Sequence, residues 1–366
     1  MSTVASKEPL RVGIIGAGMI GQLRARAIAN VPELRLAAVA DIRPDCCRAV
    51  AKLGDAVAVF SDPAVLARNP GVDAVILATP PASHEPLGLM CLDARKHVLC
   101  EKPLAINPAA CESLVQAADR AGVTLATGFN LRYTRAALLA RRLLDDGAIG
   151  DLDHIRAFHG HPGGAEFTHS WICDSSVTGG GSLMDNGIHL IDLTRWFLGD
   201  VQVVTGFATH HVLQNPGCED NGFLLLKNSQ GRVATLHASW TEWRGYQYRL
   251  EIYGTEGFLR FGYPPMYLIH GRRGAGGKVK VRRHLFSVYQ IAERIRGWEW
   301  GLVETLTRDL EAWARAIAAG QPVPISGLDG LEAVRIAHSA QRCGGSERPV
   351  RSGAQPVETI RVAAVK

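Results

Sequence analysis

The sequence has eight cysteines, Cys46, Cys47, Cys91, Cys100, Cys111, Cys173, Cys218 and Cys343, but no Cys-x-x-Cys pair and no repeated Cys/His spacing. That removes the usual zinc and dithiol motifs. Several of these cysteines sit in apolar stretches, where a free thiol behaves as a small hydrophobe. No run approaches the roughly 18 apolar residues of a membrane span. The opening Met-Ser-Thr-Val-Ala-Ser-Lys-Glu-Pro lacks the apolar core of a signal peptide. A cytoplasmic protein with no membrane partner is therefore expected. Charge of one sign is also scarce, at +5 over 366 residues. The basic cluster Arg272, Arg273, Lys278, Lys280, Arg282 and Arg283 lies in a Gly-rich turn beside an alternating segment, so a solvated hairpin is expected there. A nucleic-acid partner, which would want a continuous basic face with interleaved aromatics, is not expected.

What the chain does have is two grammars. Its length exceeds one comfortable hydrophobic core, so two domains are expected. Apolar strands at 10–15, 34–40, 56–60, 72–78, 97–100 and 124–127 alternate with helical stretches, which predicts a doubly wound parallel sheet over 1–125. From 126 onward the strand-like segments alternate apolar with polar and are parted by turns such as Asn228-Ser229-Gln230-Gly231 and Gly254-Thr255-Glu256-Gly257. An α+β domain with a large, open, mainly antiparallel sheet is expected over 126–366. Leu302, Leu306, Leu310, Trp313 and Ile317 keep helical spacing, and this closing helix is expected to pack back on the first domain. The uncovered sheet face should bury a symmetry mate, giving a homodimer or homotetramer.

The first strand runs directly into Gly16-Ala17-Gly18-Met19-Ile20-Gly21, which then opens a helix. In that context G-x-G-x-x-G reads as a dinucleotide turn. Gly16 makes the turn, Gly18 lets the backbone approach a pyrophosphate, and Gly21 permits close helix–strand packing. Free N–H groups at the helix start would hold the phosphate. Asp41 ends the second strand where a carboxylate accepts the adenosine-ribose hydroxyls and repels a 2′-phosphate. This favours NAD, whereas Arg43 leaves NADP open.

Three further segments carry reactive side chains. Ala78-Thr79-Pro80-Pro81-Ala82-Ser83-His84 follows a buried strand, and Cys100-Glu101-Lys102-Pro103 follows another. The third is Gly179-Gly180-Gly181-Ser182-Leu183-Met184-Asp185-Asn186-Gly187-Ile188-His189-Leu190-Ile191-Asp192. If helical, it sets Asp185 and His189 four apart on one face. Alcohol oxidation needs a proton acceptor with a pKa near neutrality, which imidazole supplies. A lysine can steady the oxygen, and a carboxylate can hold a neighbouring hydroxyl. Singly, Lys102 is equally a surface lysine, His189 a core histidine and Asp185 a helix cap.

Together, in this order, the four segments resemble the glucose–fructose oxidoreductase / inositol dehydrogenase / rhizopine-catabolism (Gfo/Idh/MocA) family, from Arg11 to about Arg342. The resemblance implies an NAD(P)-dependent dehydrogenase or reductase acting on a sugar, cyclitol or related polyol. It implies that Lys102, Asp185 and His189 are catalytic and contact substrate. It places Gly16, Gly18, Met19, Ile20, Gly21, Asp41, Arg43, Thr79, Pro80, His84, Glu101, Lys102 and Asn130 around the cofactor. It adds Arg132, His161 and Trp171 to the substrate side, in a stretch that also holds His159, Glu166 and His169. His159 and His161 would share a strand face, but with no third ligand at suitable spacing no metal site is expected. Two alternatives share the fold: glycoside cleavage through a transient keto-sugar, and a sensor that has lost catalysis. Joint presence of Lys102, Asp185 and His189 speaks against the second. A periplasmic enzyme with sequestered NADP is disfavoured by Asp41.

Overall fold

The computed structural model describes residues 8–163, 170–213, 217–343 and 350–351. The chain divides into two compact units, 1–133 with 288–331 and 134–287 with 332–366. The sequence-based boundary at 125 thus falls inside the first unit, which also takes back a stretch from late in the chain.

The first unit alternates strand and helix: β1 (Leu10–Ile15), α1 (Met19–Ile28), β2 (Leu34–Ala40), α2 (Pro44–Ala51), β3 (Ala58–Phe60), α3 (Pro63–Arg68), β4 (Ala74–Leu77), α4 (His84–Asp93), β5 (His97–Cys100), α5 (Pro108–Ala121) and β6 (Leu125–Thr127). Their order is β3-β2-β1-β4-β5-β6, and every pairing is parallel. This is the doubly wound arrangement, whose ligands bind at the carboxyl ends of the strands. The strands read as unbroken Val/Ile/Leu/Ala runs because both faces are covered. Val12, Ile14, Ala74, Val75, Ile76, Leu77, Val98 and Leu99 are all fully buried.

In the second unit α6 (Arg135–Asp145), β7 (Leu152–Gly160), α7 (Ser175–Thr178), α8 (Ile188–Leu198), β8 (Val201–Thr209), β9 (Asn221–Asn228), β10 (Val233–Ser239), β11 (Gln247–Gly254), β12 (Gly257–Tyr263), β13 (Tyr267–Arg273), β14 (Val279–His284) and, near the C-terminus, β15 (Val350–Arg351) build one sheet with its helices. Its order is β14-β13-β12-β11-β7-β10-β9-β8-β15. All described neighbours are antiparallel except β7 and β10. The basic cluster forms the β13–β14 hairpin, with Arg272 opposite Lys280. On β9 the even residues Gly222, Leu224, Leu226 and Asn228 are buried, while Phe223, Leu225 and Lys227 face outward. One sheet face therefore takes α8, and the other is open.

The chain then adds α9 (Ser287–Arg296) and α10 (Trp298–Ala319), and α11 (Gly327–Cys343) crosses from one unit's residues to the other's. Leu306, Leu310 and Trp313 of α10 share a core with Leu23, Ala27 and Ile28 of α1 and with Val12 and Ile14 of β1.

A charged core group fixes this docking. Arg24 of α1 is fully buried, and its guanidinium reaches Glu101 (Nε–Oε1 2.7 Å) and Asp309 of α10 (Nη1–Oδ2 2.6 Å). Burial works to discharge it, but the two carboxylates outweigh burial and hold its pKa above the ordinary arginine value. Removing one member of such a group strands uncompensated charge. Arg24→Ala should therefore lower the first unit's stability by about 3–5 kcal/mol, read as an earlier unfolding transition by circular dichroism. An unchanged transition would show that the carboxylates find other partners.

Candidate active site

In the first unit, Gly16 has φ +97°, and a Cβ there would stand 2.5 Å from the Ala78 carbonyl oxygen. Only glycine fits that turn. A Cβ on Gly21 would stand 2.0 Å from the Gly16 oxygen, so the helix lies directly on the turn. Gly18 differs. Its Cβ would meet only the Arg43 guanidinium, at 3.5 Å. No protein backbone demands a glycine there, which leaves the open approach a pyrophosphate needs. Gly18 caps α1 and Met19 and Ile20 form its first turn, so N–H groups at the positive helix end border this space.

Asp41 lies beside it. Its Oδ2 accepts from Ala17 N–H at 2.7 Å, and its Oδ1 accepts from Arg43 N–H at 2.8 Å. The Arg43 side chain adds longer contacts of 3.2 and 3.4 Å. Burial pushes the Asp41 pKa up, but these donors outweigh it, so the carboxyl stays below its ordinary range. A carboxylate has about four acceptor positions, and the two weakest here are filled by an exposed arginine. A ribose diol can take those two.

Beyond β4, Ser83 donates to the Thr79 hydroxyl at 2.7 Å, while Pro80 is extended. His84 is buried, with Nδ1 2.9 Å from the Pro103 carbonyl and Nε2 2.8 Å from the Thr79 carbonyl. Burial holds its pKa below the ordinary histidine range. Both ring nitrogens are engaged, so His84 joins the two loops after β4 and β5. Glu101 likewise faces Arg24, which leaves Lys102, partly exposed, as the next side chain on the loop. Asn130 donates to Thr305 of α10 at 3.0 Å. Arg132 is buried and donates to Asp329 of α11 at 3.1 Å, which braces the exit from β6. Ligand contact was expected of His84, Glu101, Asn130 and Arg132, and each also has a protein hydrogen-bond partner here.

In the second unit, Asp185 stands at the end of the one parallel pair among the described strands. Register sets Ser239 of β10 against Gly160 of β7. The next residues, Trp240 and His161, therefore come level, and both point N–H groups at the same oxygen. Trp240 Nε1 lies 3.1 Å from Asp185 Oδ2, and His161 Nε2 lies 3.2 Å from it. The Gly163 N–H donates to His161 Nδ1 at 3.1 Å, so the ring hydrogen sits on Nε2, facing the carboxylate.

The helical geometry considered for Asp185 and His189 is only partly a regular α-helix. Leu183–Gly187 is a π turn, and the regular helix α8 begins only at Ile188. Such turns recur at functional sites. Asn186 explains how it is held, donating to the carbonyls of His159 (2.8 Å) and Ser239 (3.1 Å) across both parallel strands. His159 in turn lies with its ring centroid 6.2 Å from that of His189. Trp171 is half exposed. Glu166 and His169 lie outside the described residues.

Trp240, Asn186 and Glu219 were not found from sequence. Glu219 is buried and takes N–H groups of Gly181 and Leu183 on its carboxylate. Burial holds its carboxyl above the ordinary range. The triple glycine was the available signal that a chain passes close by, because a Cβ on Gly181 would stand 2.2 Å from the Glu219 carbonyl oxygen.

Residues 10–129 match the family model described as oxidoreductase family, NAD-binding Rossmann fold, and residues 137–260 match the GFO/IDH/MocA C-terminal domain. Inositol 2-dehydrogenase 2 of Saccharopolyspora erythraea is 31% identical over 95% of this chain and 97% of its own. The chain belongs to the Gfo/Idh/MocA family. Myo-inositol 2-dehydrogenase of Thermotoga maritima is 27% identical, covering 93% and 98% of the two chains. Among solved structures, an oxidoreductase domain protein from Kribbella flavida superposes with a TM-score of 0.84 at 27% identity, over 95% of this chain and 100% of that one. This Gfo/Idh/MocA protein is thus an NAD-dependent oxidoreductase with a doubly wound first unit, and Gly18 and Asp41 fit that cofactor. No helix among the described residues is long and apolar enough to cross a membrane.

Hydrogen bonds to a charged group contribute about 1.5–3 kcal/mol. Asp41→Ser should accordingly shift the NAD-to-NADP preference toward NADP by about 10- to 100-fold, measured as the ratio of kcat/KM for the two cofactors. An unchanged ratio would move the discrimination to Arg43.

Proposed function

We propose that this enzyme oxidises a hydroxyl-bearing carbon of a sugar, cyclitol or related polyol. The observation that carries the reading is Asp185, a carboxylate gripped through one oxygen by the indole and imidazole N–H groups at the ends of β10 and β7. An anchored carboxylate is an acceptor of fixed direction, suited to ordering one hydroxyl of a polyol. Relatives named inositol 2-dehydrogenase support a cyclitol within that class.

In this reading NAD, when bound, takes up the hydride released from the substrate carbon. His189 removes the hydroxyl proton as the C–H bond breaks and the C=O bond forms, a task imidazole can perform near neutral pH. Lys102 offers its ammonium to the oxygen while negative charge develops there. Asp185 orients the neighbouring hydroxyl. In the reverse direction His189 returns the proton.

The open sheet face carries Phe207, Phe223 and Leu225 exposed on adjacent strands. A patch of that kind marks an interaction surface, and we infer that a second copy of the chain covers it, giving a homodimer or homotetramer. Sedimentation at micromolar concentration should show no monomer, and a monomeric boundary would remove this inference.

For the chemistry, incubation with sugars and cyclitols should yield one NADH per substrate consumed. Cleavage of a glycoside with no net NADH would favour the lytic alternative. Lys102→Ala and His189→Ala should each lower kcat by about a hundred- to ten-thousand-fold, with NAD affinity retained. Normal turnover in His189→Ala would end its assignment as the base.

A further inference from the structure

Three successive backbone N–H groups at the start of the Asp185 segment all end on one residue. Gly181 N–H donates to Glu219 Oε2 (3.0 Å), Ser182 N–H to the Glu219 carbonyl (2.9 Å) and Leu183 N–H to Glu219 Oε1 (2.7 Å). These are the donors a helix leaves without intrahelical partners at its N-terminus. A carboxylate there also meets the positive end of the helix dipole.

The anchor is itself held. Gln341 Nε2 of α11 reaches Glu219 Oε2 at 3.3 Å, and the carboxylate is buried. The close approach depends on glycine, since a side chain at Gly180 would run into Gln341 and one at Gly181 into the Glu219 main chain. From Gly181 the link to the site is short. The Gly181 carbonyl accepts the N–H groups of both Met184 and Asp185 at 3.0 Å. Two hydrogen bonds thus join the Glu219 carboxylate to the Asp185 main chain.

We propose that Glu219 is a positioning residue that sets the direction of the Asp185 carboxylate, and through it the fit of the polyol. The inference rests on the assignment of Asp185 to substrate binding. A buried carboxylate is an expensive way to cap a helix, because desolvation opposes its charge. Its presence makes sense if its role is geometry rather than stability. An amide can accept only one of the two carboxylate-bound N–H groups, so Glu219→Gln loosens the cap while easing the burial of charge.

The test uses full-length Glu219→Gln with saturating NAD and the polyol found to be turned over. The kcat/KM for the polyol should fall by about a hundred-fold, since a misplacement near 1 Å costs that much. NADH binding by fluorescence, in both affinity and stoichiometry, should stay at the wild-type value, as should the thermal transition. Wild-type polyol kinetics overturn the proposal. So does a fall in kcat that matches a loss of NADH-binding sites or an earlier transition, which is the mark of a merely structural role. If Glu219→Gln does not fold, Gln341→Leu removes a support of the same carboxylate and should raise the polyol KM severalfold. An unchanged KM there overturns the proposal as well. Asp185→Asn, run alongside, separates the two readings. Normal turnover in Asp185→Asn removes the Asp185 assignment and this inference with it. Loss in Asp185→Asn with none in Glu219→Gln removes only the role of Glu219.

Discussion

The buried guanidinium of Arg24 is the constraint on which the first unit depends. It faces Glu101, in the loop after β5, and Asp309 of α10, a helix that enters from far along the sequence. Arginine suits this position because its planar fork serves two carboxylates at once and does not lose its proton. Glu101 precedes Lys102, so the group that closes the core also fixes the base of the loop presenting the lysine. A Cβ on Gly128 would stand 2.8 Å from the Arg24 Nη2, so the exit from β6 is shaped around the same charge. Apolar side chains could fill this space, but they would not set one direction for the loop. Buried ion groups are poor sources of stability, and a specific arrangement is the better account of their presence.

The second unit solves a similar problem with hydrogen bonds. The parallel neighbours β7 and β10 within an otherwise antiparallel sheet bring two chain ends to the same level. Asn186 ties the π turn to the carbonyls at those ends, and the tryptophan and histidine that follow the strands close on Asp185. Position is thus fixed from beneath by the amide and from the side by two N–H groups. None of these contacts requires a flexible surface side chain, which is what a site of stable direction needs.

Much of the first unit was legible in the sequence because its signals are local. Each of its six strands is a short apolar run, and the glycine spacing names its turn in a single stretch of six residues. The second unit showed its strands through alternation and through the turns that part them. What stayed hidden was long-range. Nothing near Asn130 or Arg132 announces Thr305 or Asp329 as their partners. The partners of His84 were hidden in the same way, since its two carbonyls belong to separate loops. The π turn was invisible for another reason. Its sequence is compatible with an α-helix, and the close approaches around it, Gly187 to Ala238 and Gly222 to Leu183, join residues far apart in the chain.

The glycines at 179–181 show how the two kinds of information meet. In sequence they say only that the backbone must pass something closely or turn sharply. Gly179 is left-handed at φ +80° and ends α7, which is a local demand. Gly181 has no such conformation to explain it, and its need comes entirely from Glu219, a residue distant in sequence. A glycine required by its own φ and a glycine required by a neighbour look identical in the chain. Gly16 and Gly18 divide along the same line. Gly16 is needed by its φ and by the Ala78 backbone, whereas the space over Gly18 is crossed only by an exposed arginine. A glycine with neither a strained conformation nor a close protein neighbour to require it is the one whose missing side chain leaves room for a ligand.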